Sequence, residues 1–234
     1  MATILRNVRD FIWGCHSIDP TPSPLKNGRG LFLNHIYKNN GFHQRIKLQT
    51  PQLRAPFGLS TWTQDGDAEK HTLSLNLAAV GDNEDEVKEF YQFLERLDAV
   101  IITHIHENQL DLFPHLKLKG QRWSRDFIHN LYGGYVRPAS NPDFPPQTRI
   151  KVQEIFGKMP SVYDAQKMKI TLDKIPRGSH VVAIVDLGSV WVSSTQITAS
   201  LRLVQLQVLD APQPPALEED VFMFESQFAE ENFN

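Results

Sequence analysis

The chain has 234 residues, a formal net charge of −3 from 24 basic and 27 acidic residues, and a hydrophobic fraction of 41%. This length and apolar content allow one large domain or two small domains with a true core, whereas no apolar run is long enough to span a bilayer. The N-terminal residues Met1–Arg6 lack the apolar core of a secretory signal, and the single Cys15 excludes an internal disulfide framework, so we expect a soluble protein of a reducing intracellular compartment.

Short extended elements are predicted in the first third of the chain. Residues 1–30 contain Asp19–Pro24 and Asn27–Gly30, whose proline and glycine residues oppose long helices and strands, so an irregular segment is expected there. From residue 31 onward, apolar or alternating segments indicate strands. The first three predicted strands are Leu31–Leu33, Arg45–Gln49 and His71–Leu77. In the third strand, three leucines alternate with polar residues and should share one face.

One clear helix is predicted, over Asp82–Asp98. Its acidic start suits the positive end of the helix dipole, and apolar residues recur at helical spacing. These residues are Val87, Phe90, Tyr91, Leu94 and Leu97. The sequence of residues 99–135 does not indicate a clear secondary structure, and Asn141–Pro146 is predicted to be a loop.

Further short strands are predicted after this loop. They are Arg149–Ile155, Lys167–Leu172, His180–Val185, Val190–Val192 and Leu201–Val208. Short strands without a fixed repeat, with one helix inserted midway, predict a mainly β (α+β) fold built on a small closed barrel with additions. The regular βαβ alternation of a doubly wound parallel sheet is absent.

Residues 211–234, here called the acid–Phe segment, contain no Lys, Arg or His. The segment follows a Pro-rich stretch, Ala211–Pro215, and cannot bury enough apolar surface to fold alone, so disorder is expected. Its charged and aromatic residues are Glu218, Glu219, Asp220, Phe222, Phe224, Glu225, Phe228, Glu230, Glu231 and Phe233. Because the segment holds six of the 27 acidic residues and no basic residue, residues 1–210 carry 24 basic and 21 acidic residues. We expect the segment to lie in a basic groove of its own protein or to be offered to a partner.

Residues 97–109 resemble the metal-binding strand end of metallo-β-lactamase-type hydrolases. That family has Thr-His-x-His-x-Asp-His after an apolar strand, and here Thr103, His104 and His106 match. Asn108 and Gln109 occupy the positions of Asp and His, so half of the ligands are missing from a site that needs three or four. We therefore expect no catalytic metal, and we place the two histidines on a strand or loop that leaves the helix.

Other catalytic and cofactor motifs are absent from the sequence. It lacks the phosphate loop Gly-x-x-x-x-Gly-Lys, the dinucleotide turn Gly-x-Gly-x-x-Gly and the nucleophile elbow Gly-x-Ser-x-Gly. We therefore expect a non-catalytic protein that uses no cofactor.

Basic residues interleaved with aromatic residues point to nucleic acid instead. The densest cluster consists of Lys117, Lys119, Arg122, Trp123, Arg125 and Phe127. Further candidate phosphate contacts are Arg45, Lys47, Arg54, Arg149, Lys151, Lys167 and Lys169. Arg149 and Lys151 should share one face of their predicted strand, and Lys167 and Lys169 one face of theirs, because the members of each pair are two positions apart. Cations follow the phosphates of a single strand and aromatic faces stack on its bases, so Trp123 and Phe127, with Trp62 as a further member, are predicted to stack. Trp191 lies between two valines and is predicted to be part of the core.

Several segments, in order, resemble a protein family of nucleocytoplasmic large DNA viruses. They are Lys47–Pro51, Ala55–Trp62, Leu73–Leu77, Phe90–Asp98, Phe144–Val152, Val190–Val192 and Leu201–Gln205. This family resembles single-stranded DNA-binding proteins, with distant similarity to those of short-tailed phages. Such phage proteins have an oligonucleotide-binding (OB-fold) barrel, a helix inserted between barrel strands and an acidic tail with a terminal aromatic residue. The resemblance implies an OB-fold domain at 31–210, between the irregular segment 1–30 and the disordered tail 211–234, although here Asn234 follows Phe233.

The expected function is therefore sequence-independent binding of single-stranded DNA during viral genome replication, recombination or repair. We expect the protein at the site of viral DNA replication in the host cell, in the cytoplasm or nucleus, without a membrane partner. The acid–Phe segment is expected to compete for the DNA-binding groove when DNA is absent and to bind viral replication proteins when DNA displaces it, and a homodimer is left open. Two alternatives remain: a metal-dependent hydrolase of metallo-β-lactamase type with a degenerate site, and a structural virion component.

Overall fold

A computed structural model describes residues 3–25, 30–39, 42–63, 69–154 and 157–210, and the acid–Phe segment lies outside these residues. The described strands are β1 Thr3–Leu5, β2 His16–Ile18, β3 Ser23–Pro24, β4 Leu31–Leu33, β5 His35–Asn39, β6 Phe42–Gln44, β7 Ile46–Gln49, β8 Leu53–Ala55, β9 Leu59–Trp62, β10 Lys70–Asn76, β11 Tyr132–Gly133, β12 Gln147–Val152, β13 Ser161–Tyr163, β14 Lys169–Ile170, β15 Ser179–Leu187, β16 Val190–Val192, β17 Ile197–Thr198 and β18 Leu201–Asp210. The α-helices are α1 Glu84–Leu112, α2 Pro114–Lys119 and α3 Arg125–Leu131, and short 3-10 turns occupy Val8–Asp10, Trp13–Cys15 and Leu172–Lys174.

A closed five-stranded barrel forms the centre of the fold. β7 and β8 together make its first strand, and β10, β12, β15 and β18 are its second to fifth strands in chain order. β8 pairs with β10, β10 with β12, β12 with β18, β18 with β15, and β15 returns to β7 and β8. The pairing of β12 with β18 is parallel, whereas the other barrel pairs are antiparallel. This closed ring is a Greek-key barrel of the OB type, so the predicted fold class is confirmed.

Strict alternation of apolar and polar residues gives the barrel one inner and one outer face. Leu73, Leu75 and Ile150 are fully buried in its interior. Arg149 and Lys151, at the intervening positions of β12, are exposed on the outside. The predicted faces of both strands are therefore confirmed, because side chains two positions apart on a strand share a face.

The long helix α1 extends well beyond its predicted end at Asp98. Its predicted stripe continues through the buried Ile101, Ile105 and Leu112. The prediction that His104 and His106 lie on a strand or loop is wrong, because both lie within α1. At about 100° per residue they project to nearly opposite sides of the helix. Burial of the continuous stripe outweighs the weak local preference of the β-branched residues around Ile101 for extended structure.

The N-terminal segment is attached to both the barrel and the helix. β1 pairs in parallel with β7, and Phe11 and Trp13 lie 5.0 and 5.4 Å, between ring centroids, from Phe93 on α1. Arg9 forms an ion pair with Glu89 on the same helix. The segment lacks long elements, as its prolines and glycines predict, but packing makes its described part an integral piece of the fold.

A second sheet consists of short strands in the order β11-β17-β16-β4-β3. Its strands β16 and β17 lie in the chain segment that connects β15 to β18. On β16, Val190 and Val192 are fully buried, whereas Trp191 on the opposite face is half-buried. The prediction that Trp191 is a core residue is therefore wrong, because its two valine neighbours occupy the inward positions of the strand.

Candidate nucleic-acid interface

Cations and small polar side chains share the outer surface of β10 and β12. Lys151 lies opposite Thr72, and Arg149 lies opposite Ser74. Arg54, on the exposed side of β8, lies opposite Asn76 on β10. We call the outward side chains of β8, β9, β10 and β12 the barrel face. It combines three of the cations that the sequence predicts to contact DNA.

An aromatic ring and a further cation extend the barrel face at β9. Trp62 pairs with Lys70 of β10, and the Lys70 ammonium lies 4.9 Å from the centroid of the Trp62 ring. The Trp62 side chain is 48% exposed, so a large part of the ring remains accessible. A cation beside an exposed indole combines a charge for a phosphate with a flat surface for a base.

Two arginines that the sequence analysis did not select also border this face. Arg137 makes backbone hydrogen bonds of 2.9 and 2.8 Å with Gln147, at the start of β12. Arg202 is the parallel partner of Lys151 and donates a 2.8 Å hydrogen bond to Asp186. A sequence signal existed for Arg202, because it alternates with buried leucines just as Arg149 and Lys151 alternate with buried apolar residues. No comparable local pattern marks Arg137.

Neighbouring positive charges contribute to lowered pKa values for Lys151 and Arg137. The pKa of Lys151 is lowered, first by limited hydration of its ammonium group and then by the charges of Arg137 and Arg202. The pKa of Arg137 is lowered by burial and then by Arg149, while Asp98 opposes the shift. Concentrated positive charge of this kind favours an anionic ligand, which would relieve the repulsion.

A partly buried carboxylate on α1 fixes the position of Arg137. Asp98 accepts hydrogen bonds from the Tyr132 hydroxyl at 2.6 Å and from the backbone N–H groups of Tyr135 at 2.9 Å and Val136 at 3.1 Å. A Cβ atom on Gly134 would lie 2.5 Å from an Asp98 oxygen, so this position requires glycine. Burial raises the pKa of Asp98, while the three hydrogen bonds and Arg137 act in the opposite direction. The inserted helix thereby holds the turn that leads into the barrel face.

The cluster at 117–127 lies elsewhere, on α2, α3 and their connection. Trp123 is half-buried, with its ring centroid 4.4 Å from that of Phe113 and 5.2 Å from that of Phe127. Buried Gln109 of α1 accepts a 2.6 Å hydrogen bond from the Trp123 backbone N–H. Lys119, Arg122 and Arg125 are exposed, and Lys117 belongs to α2, with its side chain outside the described part. This cluster packs on the end of α1 and is not part of the barrel strands.

The remaining predicted contacts are distributed around the barrel. Arg45 is exposed just before β7, and Lys47 lies opposite Asp186 of β15. Lys169 is in β14, which pairs with β13, and β13 in turn pairs with the second half of β18. The prediction that Lys167 and Lys169 share one face of a strand is wrong, because β14 contains only Lys169–Ile170 and Lys167 occupies a turn with φ of 63°. The predicted partner-binding residues of the acid–Phe segment lie outside the described residues.

Neither a metal-binding cluster nor a membrane-spanning helix is found among the described residues. There, no group of three or more His, Cys, Asp or Glu side chains is arranged to hold a metal ion. Among the same residues, no helix combines the length and the apolar character needed to cross a bilayer.

Comparison with known sequences gives one distant viral relative. No protein-family model matches the chain. An uncharacterised protein of Acanthamoeba polyphaga mimivirus is 28% identical over 170 residues, which cover 70% of this chain and 26% of that protein. The chain thus spans about a quarter of the length of this curated relative.

Comparison with solved structures gives single-stranded DNA-binding proteins of phages. The protein from bacteriophage Enc34, solved in complex with single-stranded DNA, matches with 10% identity and a TM-score of 0.43 over 83% of this chain and 98% of that chain. The gp2.5 protein encoded by bacteriophage T7 matches with 13% identity and a TM-score of 0.44 over 79% of this chain and 98% of that chain.

Proposed function

We propose that the protein binds single-stranded DNA without sequence preference, through the barrel face. The observation that carries this proposal is the cross-strand row in which Arg149 and Lys151 lie beside Ser74 and Thr72, next to the exposed ring of Trp62. Oligonucleotides bind OB-type barrels on the surface of the second and third strands, which here are β10 and β12.

The chemistry of this face suits a single strand better than a duplex. Its cations can follow a backbone of phosphates, and its exposed indole needs an unpaired base to stack upon. The outward residues of β10 between the cations are short and polar, so they can approach a sugar–phosphate backbone without reading base identity.

The biological setting is a finer part of the same proposal. The sequence resemblance to a family of large DNA viruses supports a role in viral genome replication, recombination or repair. The six acids and four phenylalanines of the acid–Phe segment support the binding of viral replication proteins. We propose no catalytic role, because His104 and His106 lie on different sides of α1 and the strand end that a metallo-β-lactamase-type site requires does not form there.

Titration of a fluorescent oligo-dT, followed by anisotropy at several salt concentrations, tests the proposal. We expect affinity to change little with base order, to fall steeply with salt, and to be lower for a duplex of equal length. The double variant Arg149→Ala/Lys151→Ala should weaken binding and flatten the salt dependence. Lys88→Ala, which removes an exposed charge from α1, is the matched control and should change neither.

Two outcomes would contradict the proposal. A preference for duplex would exclude a stacking site for unpaired bases. Loss of binding in Lys119→Ala/Arg122→Ala, with normal binding in the barrel-face variant, would move the interface to α2 and α3.

A further inference from the structure

A second surface combines positive charge with exposed apolar side chains, at the end of α1 away from its N-terminus. We call it the α2–α3 patch, and it consists of Leu118, Lys119, Arg122, Trp123, Arg125 and Phe127. Leu118 is 88% exposed and Phe127 is 43% exposed, while Trp123 is half-buried between Phe113 and Phe127. Between residues 119 and 127 the chain has three cations against one acid, Asp126.

The α2–α3 patch differs in kind from the barrel face. On the barrel face, the residues between the cations are the polar Thr72, Ser74 and Asn76, and an exposed ring, that of Trp62, stands only at its β9 edge. The α2–α3 patch places leucine and phenylalanine side chains among its cations. Its chemistry therefore fits a ligand that is both acidic and apolar.

The acid–Phe segment of the same chain has this composition. It carries six acids, four phenylalanines and no basic residue. Cations at the rim of the patch can pair with its carboxylates, and the exposed apolar side chains can cover its aromatic rings.

The segment also has the length to reach the patch. The segment follows Asp210, the last residue of β18. Asp210 lies opposite His180 on β15, and His180 lies opposite Arg54 on β8. Asn83, the residue that precedes α1, donates a 2.8 Å hydrogen bond to the carbonyl of Gln52, so β18 ends near the N-terminal end of α1. The helix then rises by about 42 Å at 1.5 Å per residue. In an extended conformation of about 3.1 Å per residue, the chain between Asp210 and Phe224 covers a similar distance, about 43 Å.

We propose that the acid–Phe segment docks on the α2–α3 patch of its own chain, with Phe224 and Phe228 against the apolar side chains and its acids against Lys119, Arg122 and Arg125. Tethering keeps the segment within reach of the patch, so docking needs no second molecule. The phenylalanines are then covered until a protein partner competes for them. The docking site differs from the DNA-binding groove that the sequence analysis expected for this segment, and the proposal does not depend on DNA binding.

The four tryptophans of the full-length chain provide the test, because Trp123 reports on the patch and Trp62 on the barrel face. A nitroxide is attached at Ser226→Cys in a chain that also carries Cys15→Ser, and the indole N–H signals are recorded by NMR before and after reduction of the label. We expect selective loss of intensity for Trp123 in the oxidised sample, with Trp62 unchanged. Broadening of Trp62 instead, or of no tryptophan, overturns the proposal.

Charge-reversal variants identify the contacts and guard against a folding artefact. Lys119→Glu/Arg122→Glu should restore the Trp123 signal, while Arg149→Glu/Lys151→Glu, the matched barrel-face control, should leave the broadening intact. Far-ultraviolet circular dichroism confirms that each variant is folded. Isotope-labelled chains without a nitroxide, mixed with nitroxide-carrying unlabelled chains, should show no broadening. Broadening in this mixture would assign the docked segment to a second copy and overturn docking within one chain.

Discussion

The carboxylate of Asp98 and the hydroxyl of Tyr132 form a 2.6 Å hydrogen bond that joins the middle of α1 to the strand β11. Two backbone N–H groups that follow, those of Tyr135 and Val136, donate to the same carboxylate. The next residue is Arg137, whose charge lowers the pKa of Lys151 on the barrel face. The helical insertion therefore determines where one of the cations bordering the barrel face lies.

Replacement of this carboxylate should destabilise the protein. Asp98→Ala leaves three donors without their acceptor, and we expect a loss of about 2–4 kcal/mol in the free energy of unfolding, measured by urea denaturation. Asp111→Ala, an exposed carboxylate on the same helix, should change stability by less than about 0.5 kcal/mol. Equal effects of the two substitutions would show that the Asp98 hydrogen bonds do not stabilise the fold.

Single cations on and bordering the barrel face should each contribute one phosphate contact. For a single strand, loss of one contact lowers the slope of log affinity against log salt by about 0.7. We expect this change for Arg149→Ala and for Arg137→Ala in oligo-dT titrations, and no change for Lys88→Ala. An unchanged slope for Arg137→Ala, with a reduced slope for Arg149→Ala, would remove Arg137 from the interface while leaving the proposed function intact.

The exposed ring of Trp62 should stack on a base. Trp62→Ala should weaken oligo-dT binding by about 1–3 kcal/mol while leaving the unfolding free energy nearly unchanged, because the side chain is 48% exposed. Phe127→Ala, which removes a similarly exposed ring from the α2–α3 patch, is the control and should bind DNA normally. If Phe127→Ala binds weakly and Trp62→Ala does not, stacking takes place on the helical cluster that the sequence analysis selected.

Acid should destabilise the protein through a pair of partly buried histidines. His16 Nε2 lies 2.9 Å from His35 Nδ1, and His35 Nε2 lies 2.8 Å from the Tyr135 hydroxyl oxygen. Burial lowers the pKa of His16 to about 4 and, together with His16, lowers the pKa of His35 to about 3. In the unfolded chain both imidazoles titrate near pH 6.5, so between about pH 6.5 and pH 4 the unfolded state binds more protons.

Stability contributed by these neutral imidazoles is present above pH 6.5 and is lost as the pH falls. We expect the free energy of unfolding to decrease by up to about 1.4 kcal/mol per pH unit for each histidine in this range. Urea denaturation at several pH values measures the slope, which should be smaller in His16→Gln and unchanged in His129→Gln, an exposed control. A His16→Gln variant with the original slope would show that His16 is not buried as a neutral ring.

The strands of the barrel were predictable because alternation is a local property. The leucines of β10 and the cations of β12 recur at every second residue, and such a pattern assigns faces without knowledge of the partner strand. The first part of α1 was predictable for the same reason, since its acids and apolar stripe are visible in sequence. Its second half was not, because β-branched residues around Ile101 locally disfavour a helix and become helical through burial against the rest of the protein.

The sequence by itself therefore determined a β barrel with an inserted helix and placed Arg149 and Lys151 side by side, since both properties depend on residues close together in the chain. Only the tertiary structure decided which cations join them. Lys70, Arg137 and Arg202 reach the barrel face through strand pairing and through the contact of Asp98 with a turn more than 30 residues away. Register and long-range hydrogen bonds of this kind depend on packing between distant segments, and no local pattern of residues encodes them.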